Sequence, residues 1–234
     1  MVKGKKQELS LVIPFYNEEK NVEAVLTDLS SFLNKAKIDY EIVAVDNGSL
    51  DSTSMLIDSF SKKNKRVRKL KILKNKGYGY GILQGLKSCT GKYVGYLWGD
   101  NQIPNNSIPK LLNGLKNGRD LCKITRKSRT ESFSRKIQSF VYNSMMFLFF
   151  GVKSKDVNGC PKIMKKEVFQ ALRINSYDWF IDAEIMIKCK RKRFKVLEIP
   201  VISSDRDSGK SNVNYGTAFE FLKNIMKYSL GGKK

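Results

Sequence analysis

Three short β-rich segments of this chain each end in side chains that could bind a nucleotide and a metal. The polar groups are Tyr16-Asn17-Glu18 after Leu9 to Phe15, Asp46-Asn47-Gly48-Ser49 after Glu41 to Val45, and Asp100-Asn101-Gln102 after Tyr93 to Trp98. Asp46 can accept hydrogen bonds from a base or a ribose. Asp100 and Gln102 carry oxygen atoms, which Mg²⁺ and Mn²⁺ prefer as ligands, especially when a nucleotide diphosphate supplies further oxygens. These residue types predict a nucleotide-diphosphate site.

An open parallel sheet would bring these groups together, because ligands of such sheets bind outside the carboxyl ends of the strands. Helix-length intervals separate the strand-like segments of the 234-residue chain. This pattern predicts an α/β fold with a mostly parallel sheet flanked by helices. Asp51-Ser52-Thr53 predicts the start of one helix, whose backbone amides could face a phosphate. An ordinary strand, turn and helix cap explains the same residues equally well.

A glycine-rich turn is the fourth candidate binding element. Asn75-Lys76-Gly77-Tyr78-Gly79-Tyr80-Gly81 follows a strand-like segment, Lys69 to Leu73, and precedes a predicted helix from Ile82 to Ser88. Glycine permits positive φ angles and a close approach of the backbone to a ligand. We therefore expect this turn to approach a bound ligand.

In this order, the motifs resemble those of the inverting family 2 glycosyltransferases, in the branch that includes dolichol-phosphate mannose synthase and other polyprenyl-phosphate glycosyltransferases. The matching segments are Val12-Ile13-Pro14 through Glu18, Asp46 through Ser49 with Asp51 and Thr53, Asn75 through Gly79, Gly99 through Gln102, Thr125-Arg126, Arg135 with Ser139, Gly159 with Lys162, Phe180 through Glu184, Glu198 through Val201, and Arg206 followed by Gly209-Lys210-Ser211. The resemblance therefore covers almost the whole chain.

The resemblance implies a glycosyltransferase A fold, in which helices flank a mostly parallel, Rossmann-like central sheet. It implies one glycosyltransferase domain over residues 1–234, with a nucleotide-sugar-binding half, 1–124, and an acceptor-binding half with interfacial helices, 125–234. The implied cofactor is Mg²⁺ or Mn²⁺. The implied partners are a nucleotide diphosphate sugar and a polyprenyl phosphate lipid.

The resemblance also assigns roles to individual residues. The nucleotide-sugar-binding set is Pro14, Tyr16, Asn17, Glu18, Asp46, Gly48, Ser49, Lys76, Gly77, Tyr78, Gly79 and Gly99, and the acceptor phosphate-binding set is Arg126, Arg135, Ser139, Arg206 and Lys210. Asp100 and Gln102 would hold the metal. Asp100, Asp182 and Glu184 form the predicted catalytic set. Guanidinium groups suit the acceptor site because they bind phosphate bidentately.

One departure from the family lies in the predicted metal site. The family usually has an aspartate two residues before Asp100, where this chain has Trp98. Tryptophan cannot ligate a metal. We therefore expect weaker metal binding, or binding that depends more on the diphosphate. The opposing interpretation is a degenerate, inactive site in a basic protein that binds nucleotides without catalysis.

Asp182 and Glu184 allow two local structures. On a strand the two side chains would share a face, whereas at a helix start they would not, and the sequence favours neither. Either could orient sugar hydroxyls or act as a base. Asp182 could instead cap a helix that begins near Ala183.

The predicted reaction is transfer of a sugar to a polyprenyl phosphate with inversion at the anomeric carbon. A phosphate monoester is already anionic near neutral pH, so a strong protein base is less necessary than for a hydroxyl acceptor. The alternative is a family 2 enzyme that glycosylates a saccharide or glycolipid hydroxyl in surface-polymer assembly. That reaction would make Asp182 or Glu184 indispensable as a base.

The chain is strongly basic, with 44 Lys and Arg against 22 Asp and Glu and a formal net charge of +22. Such a charge attracts anionic lipids, nucleic acids and nucleotide sugars. No recognisable nucleic-acid-binding module accompanies the scattered lysines, so we predict no specific nucleic-acid partner. The four cysteines form no Cys-x-x-Cys pair, which favours reduced thiols in the cytoplasm, and the absence of histidine excludes histidine-based triads and zinc sites.

No apolar run reaches the roughly 20 residues that a membrane-spanning helix needs. The closest, Phe140 to Val152, follows a basic segment from Arg126 to Lys136. This arrangement is typical of an interfacial element, although a buried core helix is the competing explanation. The spacing of apolar residues from Phe219 to Leu230 predicts a further amphipathic helix. We expect peripheral attachment to the cytoplasmic face of an anionic membrane, directly or through a membrane-protein partner.

Overall fold

A seven-stranded sheet lies at the centre of the protein. The computed structural model describes residues 7–128, 133–203 and 228. The strands are β1 (Leu9–Phe15), β2 (Tyr40–Asp46), β3 (Val67–Lys71), β4 (Tyr93–Tyr96), β5 (Leu121–Ser128), β6 (Lys162–Lys165) and β7 (Val196–Ser203), in the order β3-β2-β1-β4-β6-β5-β7. Only β6 runs antiparallel to its neighbours in this described sheet. The predicted α/β class with a mostly parallel sheet is confirmed.

Helices cover the sheet and account for its buried strands. They are α1 (Val22–Lys35), α2 (Thr53–Lys63), α3 (Tyr78–Ser88), α4 (Ser107–Lys116), α5 (Phe133–Phe150), α6 (Lys166–Leu172) and α7 (Ile181–Arg191). Every residue of β2 is buried, as expected for a strand covered on both faces. In α1 the buried side chains recur every three or four residues, so that one stripe of the helix faces the core.

Strand register aligns the turns that carry the predicted donor-site residues. Phe15 pairs with Asp46 at the carboxyl ends of β1 and β2, and Val12 pairs with Tyr96 at the end of β4. The turns after these three parallel strands therefore emerge at one edge of the sheet.

Helix α5 has features of both structures considered for the segment from Phe140 to Val152, an interfacial element and a buried core helix. Met146 is fully buried, whereas Phe140, Phe147 and Leu148 are 73%, 48% and 76% exposed. One side of the helix thus packs on the core and another carries exposed apolar side chains. No helix in the described part of the chain combines the length and apolar character that a bilayer crossing needs. The predicted helix from Phe219 to Leu230 lies outside the described residues, apart from Tyr228.

Candidate active site

The turns after β1 and β2 bind each other through side chains; we call residues 16–19 and 46–53 the donor turns. The Asn17 amide donates to Ser49 Oγ over 3.1 Å, and the Leu50 amide donates to Asn17 Oδ1 over 2.8 Å. Asp46 Oδ1 accepts the Ser49 amide over 2.9 Å, which fixes the second turn. The Glu18 amide donates to Thr53 Oγ1. These predicted donor-binding residues therefore lie close together.

The start of α2, where the sequence predicts a helix end that could face a phosphate, has two of its amides bound by protein carboxylates. The Thr53 amide donates to Asp51 Oδ1 over 3.0 Å, and the Ser52 amide donates to Glu19 Oε2 over 3.1 Å. Whether the helix end also faces a phosphate stays a prediction. Burial acts to raise the pKa of Asp51, but hydrogen bonds from Thr53 and from the Glu19 amide outweigh it, so the pKa is lowered.

The glycines of the glycine-rich turn allow a close approach to protein backbone, and the expected approach to a ligand stays a prediction. Gly77 has φ of +110°, and a Cβ at this position would lie 2.4 Å from the Tyr177 carbonyl oxygen. A Cβ at Gly79 would lie 2.5 Å from the Asp178 carbonyl oxygen. The Tyr80 amide also donates to the Tyr177 carbonyl over 2.9 Å. This support explains why α3 begins at Tyr78 rather than at the predicted Ile82.

The remaining predicted donor residues surround these turns. Pro14 is half-buried in β1, Tyr16 is 39% exposed, and the exposed Lys76 places Nζ 5.2 Å from the centre of the Tyr80 ring. Gly48 has φ of +80°, in the left-handed region that favours glycine. Gly99 packs against the ring of Phe15 at the end of β1.

Trp98 takes part in an aromatic cluster. Its Nε1 donates to the Tyr78 hydroxyl over 2.8 Å, and the Tyr78 ring stacks on Trp179 with ring centres 4.2 Å apart. The Arg126 guanidinium carbon lies 4.8 Å from the centre of the Trp98 ring. Burial above all, with the negative charge of Asp182, raises the pKa of Tyr78 well above its ordinary value, so its hydroxyl stays protonated.

The predicted metal ligands follow Trp98 on the segment after β4. Asp100 and Gln102 are half-buried, and Asp100 Oδ1 accepts the Gln102 amide over 3.3 Å. Asn101 ties the same segment to α1, because its Nδ2 donates to Asp28 Oδ2 over 2.7 Å. The described residues contain no group of three or more acidic, cysteine or histidine side chains placed to hold a metal ion.

Arg126 is held firmly at the end of β5. Its Nε and Nη2 donate to the two carboxylate oxygens of Asp156 over 2.8 and 3.0 Å, and its side chain is 36% exposed. Burial acts to raise the pKa of Asp156, but Arg126 outweighs this effect and lowers it. Ser139 lies on α5, where its hydroxyl accepts a hydrogen bond from Asn143 Nδ2. Of Arg135 the structure describes only its place in α5, and Arg206 and Lys210 lie outside the described residues.

Asp182 and Glu184 lie in the first turn of α7, which answers the question of strand or helix. Asp182 is 3% exposed and does not cap the helix; its Oδ1 accepts the Tyr96 hydroxyl over 2.6 Å and also pairs with Lys162. Glu184 is 1% exposed, accepts the Asn175 and Ser176 amides, and pairs with Lys188 over 2.6 Å. Neither carboxylate lies on an open surface, so their catalytic roles stay predictions.

A buried network of charges near Arg126 was not predicted from the sequence, although Lys162 and Asp182 belong to motifs named above. Lys123 and Lys162 are fully buried partners on β5 and β6, and with Asp156 and Asp182 they form what we call the ionic layer. Lys123 Nζ donates to the Asp156 carbonyl over 2.5 Å and lies 3.5 Å from Glu198 Oε1. Burial, followed by the charge of Lys162, lowers the pKa of Lys123 to about 8. The available signal was Lys123 within the short run Leu121-Cys122-Lys123-Ile124, where its neighbours are apolar.

Comparisons with known proteins agree with this architecture. A protein-family model described as glycosyl transferase family 2 matches residues 10–173. A dolichol-phosphate mannosyltransferase of Pyrococcus furiosus is 30% identical over 228 residues, which cover 94% of this chain and 63% of that relative. The chain therefore spans less than two thirds of the length of this relative.

Solved structures resemble the fold at low sequence identity. A glucosyl-3-phosphoglycerate synthase from Mycobacterium tuberculosis, crystallised with Mn²⁺, UDP and glucosyl-3-phosphoglycerate, has a TM-score of 0.74 and 16% identity, over 96% of this chain and 80% of that one. A further mycobacterial protein has a TM-score of 0.75 and 14% identity, over 96% of this chain and 75% of that one. At identities this low the similarity shows the fold alone. It confirms the predicted glycosyltransferase A fold.

The family follows from the match that covers most of the chain. Residues 10–173 include the donor turns, the segment with Asp100 and the strand with Arg126. The relative that is 30% identical confirms the resemblance to dolichol-phosphate mannose synthases. This chain belongs to glycosyl transferase family 2.

Proposed function

We propose that this protein transfers a sugar from a nucleotide diphosphate sugar to a polyprenyl phosphate, with inversion at the anomeric carbon. The relative that is 30% identical is named for mannosyl transfer to dolichol phosphate. The donor would bind in the 1–124 half and the acceptor in the 125–234 half of one domain. Asp46 would contact the nucleoside.

One observation favours a lipid phosphate as the acceptor. The segment that holds the Arg126 guanidinium is hydrogen-bonded to α5, the helix with an exposed apolar side. Asn143 of α5 donates to the Lys155 carbonyl over 3.1 Å and accepts the Val157 amide over 3.0 Å. Asp156, between those two residues, holds Arg126. A polyprenyl phosphate needs a cation for its head and apolar surface for its tail.

The burial of the two candidate bases favours a phosphate acceptor over a hydroxyl. A hydroxyl must lose a proton as it attacks, and a base must reach it within hydrogen-bond distance. Asp182 and Glu184 are almost fully buried and are both engaged by lysines. A phosphate monoester attacks as an anion, so this chain's task is to align it against the sugar and to neutralise two phosphate groups.

The residues around Asp100 fit a divalent cation that depends on the substrate for most of its ligands. Asp100 and Gln102 offer oxygens, whereas the Trp98 indole faces Tyr78 and Arg126. Bound Mg²⁺ or Mn²⁺ would neutralise charge on the departing nucleotide diphosphate. The Mn²⁺ in the synthase from M. tuberculosis, which shares the fold, supports this cofactor class.

The test is a panel of nucleotide sugars offered with a short polyprenyl phosphate, with and without Mn²⁺. We expect one donor to give a glycosyl phosphate lipid of inverted configuration, detectable by NMR, and the matching polyprenol without phosphate to be inert. Preferential transfer to the polyprenol or to a saccharide would favour the surface-polymer alternative. Absence of both transfer and donor hydrolysis would favour a non-catalytic nucleotide-binding protein.

We further propose peripheral attachment to the cytoplasmic face of an anionic membrane through the exposed side of α5. Apolar burial and attraction to anionic headgroups would act together, so binding to anionic liposomes should weaken with salt. Replacing Phe147 and Leu148 by serine should abolish liposome binding in a folded protein. As the control, the same change at Met55, which is 65% exposed on α2, should leave binding unchanged. A folded variant of Phe147 and Leu148 that binds like the parent would exclude this surface.

A further inference from the structure

Trp98 stands where the family has a metal-binding aspartate. Its described polar and ring contacts are instead with protein side chains, those of Tyr78 and Arg126. Its N–H donates to the Tyr78 hydroxyl over 2.8 Å. One ring face lies against the Arg126 guanidinium at 4.8 Å. An indole in this position supplies an apolar, electron-rich surface instead of a carboxylate.

The contacts around Arg126 constrain it in two directions. The bidentate pair with Asp156 lies in the plane of the guanidinium and fixes its orientation within that plane. The Trp98 ring supports the guanidinium from one face and limits its tilt. Together the two contacts leave a side chain that is 36% exposed with little freedom to turn.

Trp98 is itself supported from both parts of the chain. The Tyr78 hydroxyl accepts its N–H at the start of α3, next to the glycine-rich turn, and the Tyr78 ring stacks on Trp179, which precedes α7. The indole therefore connects the segment that carries Asp100 to the strand that carries Arg126.

We propose that Trp98 is a positioning residue that holds the Arg126 guanidinium in the orientation that receives the acceptor phosphate. This inference rests on the proposed function, because it deepens the role of Arg126 in acceptor binding. The position that serves metal binding elsewhere in the family thus serves acceptor alignment in this chain.

The test compares Trp98→Asp, which removes the stack and restores the family carboxylate, with Trp98→Phe, which keeps a ring but loses the N–H. In transfer to a short polyprenyl phosphate, Trp98→Asp should raise the acceptor KM about tenfold and leave the donor KM within about twofold, since the loss of a partly exposed cation–π contact has this order of effect. Trp98→Phe should fall between Trp98→Asp and the parent. Tyr177→Phe, which removes only the hydroxyl of a ring that packs edge-on against Tyr80 and lies outside the stack, should match the parent.

A second readout does not depend on the reaction. The Arg126 Nε–Hε resonance, assigned by its loss in Arg126→Lys, should carry a ring-current shift that disappears in Trp98→Asp. An unchanged resonance overturns the proposal. The proposal is also overturned if Trp98→Asp binds Mn²⁺ more tightly without a change in the acceptor KM. An equal rise in the KM of both substrates would overturn it as well. If the parent transfers nothing to a polyprenyl phosphate, the proposed function fails and the acceptor role of Arg126 fails with it, whereas a shifted resonance would still show that Trp98 orients Arg126.

Discussion

The donor turns and the ionic layer hold two parts of one candidate site by different kinds of bond. The donor turns are joined by hydrogen bonds between backbone amides and partly exposed side chains, such as the Asn17 amide with Ser49 Oγ. The ionic layer consists of charges with almost no exposure, such as the pair of Lys162 with Asp182. A single exposed hydrogen bond contributes about 1 kcal/mol, whereas breaking a buried ion pair costs about 3–5 kcal/mol. Changes in the donor turns should therefore affect substrates, and changes in the ionic layer should affect folding.

The largest expected effect is on stability, in the ionic layer. Asp182→Ala leaves Lys162 buried without its partner carboxylate and removes the acceptor of the Tyr96 hydroxyl. Urea denaturation should show a loss of about 3–5 kcal/mol. The control is Asp39→Ala, whose pair with Arg66 is 46% and 47% exposed and should contribute under about 1 kcal/mol. Equal losses in the two variants would remove the distinction between the two regions.

The next effect is catalytic and should leave the fold intact. Asp100→Ala removes the predicted metal-binding carboxylate, so kcat/KM should fall about a hundredfold or more while the urea midpoint stays unchanged. Asp28→Ala is the control, since Asp28 is an exposed acid that binds the adjacent Asn101. Near-normal transfer by Asp100→Ala would refute the metal assignment.

Glu184 tests whether a buried carboxylate acts as a base or supports the glycine-rich turn. Glu184→Gln keeps an oxygen for the Ser176 amide, so kcat should change only a few-fold and the pH profile should keep its shape. Glu184→Ala should raise the donor KM about tenfold, because the 175–178 backbone packs against Gly77 and Gly79. A general base would instead lose about 10²-fold to 10⁴-fold in kcat in both variants.

The most gradual effect is the pH dependence that Lys123 confers on the ionic layer. Its pKa of about 8 in the folded state lies below the ordinary 10.5, so the unfolded chain binds more protons between these values. Stability from this group therefore rises with pH across that window, by at most about 1.4 kcal/mol per pH unit. The difference in unfolding free energy between the parent and Lys123→Met should grow in favour of the parent from pH 8 upward. A flat difference would contradict the lowered pKa.

Local sequence predicted the parts of the site that depend on neighbours in the chain. A β-rich run followed by Asp46-Asn47-Gly48-Ser49 specifies both a strand and its turn, and β2 does end at Asp46. The turn at Gly77 illustrates the limit, because its glycine accommodates the Tyr177 carbonyl, one hundred positions away in the numbering. Its residue type could be interpreted from sequence, but its contact partner could not.

The pairing of charges in the ionic layer could not be predicted for the same physical reason. Lys123 lies between apolar residues of β5 and Lys162 begins β6, and each buried charge is acceptable only because distant groups meet it. The Phe180-Ile181-Asp182-Ala183-Glu184 motif drew attention to Asp182 as a catalytic candidate. Its pairing with Lys162 depends on how α7 packs beneath the sheet, which composition and spacing do not encode.

The hydrogen bond from Tyr96 to Asp182 also bears on how the protein matures during synthesis. Tyr96 lies on a central strand, and its acceptor is 86 residues further along the chain. A ribosome adds about 5–20 residues per second, so several seconds separate the two residues as they are made. During that interval β4 lacks the carboxylate that its tyrosine requires. The core of the amino-terminal half is therefore incomplete until α7 has been synthesised. Fragments that end before Asp182 should require chaperones to stay soluble.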